Sequence, residues 1–380
     1  MRDHAAPPDA PTQTGHACPK ALRRAAVQRY ALACNATGLA QVATTLVPLA
    51  LAWFVVAGAG GNPWVALFAT GAIALLMLRV FVLMHDCGHR SLFASTALNS
   101  GVGFALGVIA GMPQYVWSLH HAHHHATNGD WSRYGGPLGV TTIDAYFALG
   151  ERGRRRYRLA RHLANAPLAG LLYLAVNPRV NWLKGTARLV AHLVRGRIAE
   201  PGVPLATLRA RFRTTAWNSP KEFWHMTWNN VAVLSTWTAM SWAIGPATFL
   251  GIHLAATALA GGAAIVLFTV QHNFEHSYAS ETAGWDPDDA VVHGTSMLVL
   301  PAWLNWVTAD IAYHHVHHLS AAIPNHRLAR CHSECAEHFT EVRRLTLREV
   351  PAALRCILWD VRTRRIVSVE EATAGRGHGA

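Results

Sequence analysis

Two long blocks without a charged side chain set the terms for this chain. From Leu51 to Leu78, and again from Val231 to Phe274, there is no Lys, Arg, Asp or Glu. Crossing a bilayer as helix takes about 20 apolar residues. Each block also carries a break, Gly58 to Pro63 in the first and Gly245-Pro246 in the second. Glycine and proline interrupt helices, so each block reads as part of a helical hairpin. The expected spans run from about Ala33 to Val56, from Trp64 to Met84, from Asn230 to Ile244, and from Ala247 to Val270. Three weaker apolar segments, Gly101 to Met112, Pro167 to Val176 and Met297 to Val307, leave room for up to six spans. Composition agrees: 51% of the 380 residues are hydrophobic and 14% charged, against about a quarter charged in a soluble domain.

Charge placement orients the hairpins. Lys20, Arg23, Arg24, Arg29, the run Arg152 to Arg161, Lys184, Arg188, Arg211, Arg213 and Lys221 all lie between or around them. The positive-inside rule puts these segments in the cytosol, so helices two and four re-enter it near Met84 and Val270. Net charge is +12, yet the arginines flank apolar runs and no nucleic-acid motif accompanies them. A basic face against anionic headgroups accounts for them, and nucleic acid is excluded as a partner. Met1 to Lys20 is polar and rich in Pro and Ala, with no apolar core or cleavage site of a secretory signal. It reads as a disordered tail, as do the residues from about Ala372. The six cysteines are few and irregularly spaced, so no disulfide framework is implied.

The 24 histidines are the outlier. His85-Asp-Cys-Gly-His89 sits at the expected cytosolic end of helix two. A spacing of four puts both rings on one helical face. In His120-His-Ala-His-His-His125 an HxxHH pattern fits twice, as His120, His123 and His124 or as His121, His124 and His125. Spacing alone leaves that register open. Asp310-Ile-Ala-Tyr-His-His-Val-His-His318 offers His314, His317 and His318 on one face. Gln271-His-Asn-Phe-Glu-His276 ends helix four, with His272 and His276 four apart.

Topology drawn without the histidines places all four groups at one membrane face. One register of each box sums to nine ligands, where one zinc takes four. Nine imidazoles suit two metal ions with open positions. Imidazole accepts Zn, Cu, Fe or Ni, so ligand type does not choose the metal. The setting argues for iron. A lipid tail offers nothing to acid–base catalysis, whereas a redox metal can oxidise it, the protein supplying orientation and exclusion of water.

These residues resemble the membrane fatty acid desaturase family, of the bacterial acyl-lipid type with three histidine boxes. His85-Asp-Cys-Gly-His89-Arg-Ser-Leu-Phe looks like the first box, and His120 to Asp130 like the second, an alignment that selects His121, His124 and His125. Val270-Gln-His-Asn-Phe-Glu275 is similar to a QHxFE segment whose histidine, here His272, supplies one more ligand. Asn305 to Asn325 resembles the third box and its flank. The match extends from about Leu32 to about Phe339. It implies an all-α integral membrane protein of four, up to six, transmembrane helices with a cytosolic helical cap carrying a di-iron site. It implies two iron ions, O2 as co-substrate, a fatty acyl lipid substrate, and electrons from a separate ferredoxin or cytochrome b5-like donor.

The ligand set so implied is His85, His89, His121, His124, His125, His272, His314, His317 and His318. Asp310 stands where the bacterial relatives usually carry Asn. It and His276 are candidates for an additional ligand, and Asp86, Asp130 and Glu275 for acceptors of ligand N–H groups. The same iron site serves acetylenases and hydroxylases, so that outcome stays an alternative to desaturation, on a lipid or an acyl-carrier-protein substrate. The expected organisation is a disordered cytosolic tail (1–30), a membrane desaturase domain with its cap (31–340) and a cytosolic C-terminal tail (341–380). The expected setting is a bacterial inner membrane with the site on the cytoplasmic side. An apolar tunnel should admit the acyl chain, its residues not legible from sequence.

Overall fold

The structure is a computed structural model that describes residues 25, 27–134 and 139–377. It is mostly helical. Helix α1 (Asn35–Gly58) and helix α2 (Pro63–His89) form the first hairpin. Its turn uses Gly60 and Gly61 at φ +56° and +81°, the left-handed region that favours glycine. Asn62 then caps α2, its side chain accepting from the backbone N–H groups of Trp64 and Val65, and Pro63 starts the helix where its missing donor costs nothing. Helices α3 (Thr96–Ala110) and α4 (Gln114–Ala126) follow, bent by 97°. Helix α5 (Glu151–Ala160) precedes α6 (Ala166–Leu171), a π-turn (Leu172–Val176) and α7 (Asn177–Ala199). Helices α8 (Pro220–Ile244) and α9 (Pro246–Val270) make the second hairpin, turning at Gly245 with φ +94°.

Helices α1, α2 and α9 are long and apolar enough to cross a membrane, and the bent α3–α4 pair passes the same test as a unit. The expected span from Asn230 to Ile244 does not. Helix α8 has the length, but Lys221, Glu222, His225, Asn229 and Asn230 occupy its first half. Met297 to Val307 is no hidden span either, being a strand followed by a short helix at Ala302–Val307.

The core lies between α1, α2, α3 and α9, with Ile73, Val80, Leu83, Met84, Leu106 and Ala256 buried. The opposite faces of α1 and α2 leave Phe54 77% and Phe68 74% exposed, and Trp242 on α8 is 90% exposed. Apolar surface of that extent suits lipid contact.

Outside the spans the chain is not purely helical. Among the described residues are five short strands in two sheets, paired over long separations except for one local hairpin. β1 (Thr141–Thr142) runs parallel to β4 (Cys356–Asp360), which is antiparallel to β5 (Arg365–Ser368), with Trp359 opposite Ile366. β2 (Ser296–Val299) runs parallel to β3 (Arg343–Thr346). The stretch 341–377, expected as a tail, therefore contributes three strands and a terminal helix, Val369–Gly377, whose Ala372 packs with Tyr146, Leu358 and Val367. Residues 1–24, most of the expected N-terminal tail, lie outside the described residues. At its end residues 27–30 are helical, and the buried Tyr30 hydroxyl donates to Glu334 at 2.6 Å.

Candidate metal centre

Four elements bring histidines to one place. The last turn of α2 presents His85 and His89, and α4 presents His121, His124 and His125. His272 follows α9 by two residues, and a short helix (His314–Leu319) carries His314, His317 and His318. The nine fall into two groups, His85, His89, His121, His125 and His317 in one, His124, His272, His314 and His318 in the other. Within each group the candidate ligand atoms all lie within 4.8 Å of one another. The groups abut where the His125 and His318 rings stack at 4.2 Å.

The nitrogen spacing has the scale of a coordination sphere. The His124 and His272 Nε2 atoms are 3.1 Å apart, and those of His272 and His314 2.8 Å. In the other group the His125 Nε2 lies 3.1 Å from that of His121 and 3.0 Å from that of His317. With metal–nitrogen bonds of about 2.1 Å, two ligands at right angles sit about 3.0 Å apart. The Nε2 atoms of His89 and His318 are buried without a hydrogen-bond partner, a costly state unless a metal takes the lone pair. Burial pushes the His314, His317 and His318 imidazoles well below their ordinary value and His272 to about 3. They are therefore neutral, the form that ligates. All-imidazole donor sets, buried and converging as two groups, fit two borderline metal ions such as iron.

The surroundings orient the rings. The His85 Nδ1–H donates to Asp86 at 2.8 Å, and the other Asp86 oxygen accepts the backbone N–H of Asn325 at 3.3 Å. The His272 Nδ1–H donates to the Gly294 carbonyl at 3.2 Å. Each leaves Nε2 facing its group, the usual arrangement for a ligating histidine. Gln271 ties the end of α9 to the third box by donating to the Ile311 carbonyl at 2.8 Å.

Of the remaining candidates, only Asp86 meets a ligand in this way. Asp130 instead binds Arg133 at 2.6 Å and accepts from the Thr282 hydroxyl. Glu275 is exposed. His276, at φ +62°, points to an exposed ion pair with Glu371 at 3.0 Å and belongs to neither group. Asp310 also belongs to neither. Burial raises its carboxyl pKa, opposed by the Arg79 guanidinium, which itself is buried over the Trp306 ring. His120 and His123 are exposed, so the alternative second-box register leaves two of its three rings outside both groups.

Aromatic side chains that sequence reasoning did not single out wall the site. Trp117 stacks on His121 at 4.6 Å and donates its indole N–H to the Tyr173 hydroxyl at 3.0 Å. Phe268 packs against His124 at 4.9 Å. Each precedes a histidine of the groups by four residues (Trp117 and His121, Phe268 and His272), a helical spacing readable in the sequence. Tyr173 had no such signal: it lies in the π-turn, 56 residues from Trp117.

A cavity of about 570 Å³ reaches the groups, with His85, His121, His124 and His314 in its wall. It follows α9 from Gly261 towards its C-terminal end and is faced mostly by apolar side chains such as Leu78, Phe81, Val82 and Leu172, with polar groups such as His120, His123, Tyr134, Arg161, His162 and Asn165 also in its wall. Its volume and apolar lining are those of a small-molecule site.

Comparison with known proteins agrees with this geometry. The family description "Fatty acid desaturase" matches residues 62–349, 288 of the 380. A fatty acid desaturase of Bacillus subtilis is 30% identical over 87% of this chain and 85% of its own length. Two sn-1 oleoyl-lipid 12-desaturases are more distant. That of Synechocystis is 24% identical over 73% of this chain and 67% of its own length, and that of Picosynechococcus 25% over 73% and 72%. Matched over three quarters of its length, with histidines gathered beside an apolar cavity, the chain belongs to the fatty acid desaturase family.

Proposed function

We propose that this protein desaturates a fatty acyl chain, carried on a lipid or a thioester, in an O2-dependent reaction at two histidine-held iron ions. Family membership makes it an oxidoreductase of lipid metabolism. The observation that carries the finer reading is the apolar cavity walled by histidines of both groups. His85, His89, His121, His125 and His317 would hold one iron, and His124, His272, His314 and His318 the other. With O2 and two electrons from a separate ferredoxin or cytochrome b5-like carrier, the irons would supply the oxidising power to remove two hydrogens from adjacent methylenes.

The chain's own residues bind and orient. Leu78, Phe81 and Val82 exclude water and hold the acyl chain by burial of its methylenes, each worth about 0.8 kcal/mol. Trp117 and Phe268 fix two ligand rings against the cavity, so that the chain is presented to a rigid wall. Asp86 and the Gly294 carbonyl hold the Nδ1 protons of His85 and His272 and keep Nε2 free. The site lies on the cytoplasmic side of a bacterial inner membrane, at the ends of α2 and α9. Expression in a host with a simple fatty acid pool, followed by lipid mass spectrometry, tests this. The expected result is new species two mass units lighter. Unchanged unsaturation, or a gain of one oxygen, would refute desaturation.

A further inference from the structure

One arginine lies where a membrane protein least accommodates a charge. Arg179, in the first turn of α7, is 7% exposed. Its guanidinium is 5.8 Å from the ring of Trp237, in the apolar half of α8. Trp237 in turn meets His253 at 5.1 Å, and His253 lies well inside the membrane-spanning α9. Arginine keeps its charge in proteins. Burying a charge is costly unless it is paired, and among the described residues no carboxylate acts on this one. Its Nε and Nη2 are buried without a hydrogen-bond partner. An ionisable group kept at such cost and depth points to a function.

Every hydrogen bond of the side chain comes from Nη1. It donates to the Gly111 and Leu174 carbonyls, each at 2.6 Å, and lies 3.5 Å from that of Ala175. Gly111 closes α3 at the 97° bend into α4. Leu174 and Ala175 belong to the π-turn, a form that concentrates at functional sites. One cation thus ties the bend to the π-turn. The two are in close contact, since a methyl group at Gly111 would lie 2.9 Å from the Leu174 oxygen.

The tied π-turn is cavity wall, through Leu172, Tyr173 and Leu174. On α2 the wall extends inward as far as Leu78, roughly 10 Å along the helix from His85. On α9 it extends as far as Gly261, and His253 lies roughly 12 Å beyond that. Arg179, Trp237 and His253 are not part of the wall. The guanidinium is therefore behind the end of the cavity farthest from the histidines, and it grips the turn that faces that end.

We propose that Arg179 is a specificity-determining positioning residue: by pinning the π-turn to the α3–α4 bend it fixes Leu174 as the closed end of the cavity, and so limits how far an acyl chain extends past the histidines. This rests on the acyl reading of the cavity. The charge is retained because two carbonyls freed by a bend and a π-turn need one donor between them, and an apolar side chain would leave both unpaired.

The test is native mass spectrometry of the full-length purified protein with a ladder of saturated fatty acids of increasing length, which needs no turnover. Retention should rise about fourfold per added methylene and then fall once the chain meets the π-turn. Arg179→Met, which keeps the volume and removes the donors, should move that limit to longer chains, with about a tenfold gain for the first chain that the wild type rejects. Arg179→Lys, which restores a donor, should bring the limit back at least in part. Arg179→Gln, too short to reach both carbonyls, is the second variant should Arg179→Met fail to insert. Leu174→Ala should lengthen the limit and Leu174→Phe shorten it. Lys184→Gln, on the exposed face of α7, should leave it in place. A structural loss alone would lower retention equally at every length, and that result in the Arg179 variants overturns the proposal. So does an unchanged limit in Arg179→Met or in Leu174→Ala. A wild type that retains acids with no length limit sinks this inference alone, whereas one that retains none sinks the acyl reading of the cavity as well.

Discussion

The contact between α6 and α9 is where a one-carbon change should be felt most. A methyl group added at Gly170 would lie 2.3 Å from the Gly261 carbonyl carbon and the Gly262 nitrogen, where ordinary contact begins near 3.4 Å, so the helices must part by about 1 Å. The obstacle is backbone on both sides and no rotamer relieves it. Overpacking typically costs about 1–3 kcal/mol, and Gly170→Ala belongs at the upper end. For a chain of this size that is a fall of about 4 °C in the unfolding midpoint. The displacement also acts on function, because Ala166 and Ala169 on one helix and Gly261 and Ala264 on the other face the cavity. Parting them widens the channel and loosens the acyl chain against the histidines. Gly251→Ala, on the same α9 with nothing within 4 Å, is the control and should be neutral. Thermal unfolding in detergent and the distribution of double-bond positions in the product are the assays. Wild-type stability together with a wild-type product pattern in Gly170→Ala would refute the reasoning.

Other expectations concern the metal centre. Asp86→Asn removes the acceptor charge behind His85 and should weaken metal retention by about 10- to 100-fold, read by chelator competition; unaltered retention would remove Asp86 from the site. The two-group geometry predicts that His121→Ala and His124→Ala lose iron while His120→Ala, His123→Ala and His276→Ala keep it. Metal analysis of the purified variants decides, and iron loss in His120→Ala or His123→Ala would contradict the geometry.

The hairpins and the spacing within each histidine box were legible because both are local. A run of apolar residues and a spacing of three or four along a helix need no knowledge of distant chain. What was not legible depends on long-range pairing. Thr141–Thr142 is too short to read as a strand until Leu358 and Trp359 lie beside it. The membrane reading of Asn230 to Ile244 weighed the apolar half of α8 and not the polar first half that continues the same helix. His276 shares a spacing of four with His272, yet the helix ends at Val270 and the chain turns through φ +62°, sending that ring to Glu371, 95 residues on. Asp310, four residues before His314, has positive φ itself and lies in the turn before the helix that starts at His314, so the two do not share a helical face. The tunnel residues come from α2, α4, α6, the π-turn and α9 together, and no single stretch announces them.

The most direct test of the central claim is the metal content of the protein itself. Purified from iron-replete cells, the chain should carry two irons, with a Mössbauer signature of nitrogen-rich coordination. His317→Ala and His124→Ala, one from each group, should each deplete iron while the protein remains in the membrane. A single metal per chain, zinc in place of iron, or full iron in both variants would contradict it.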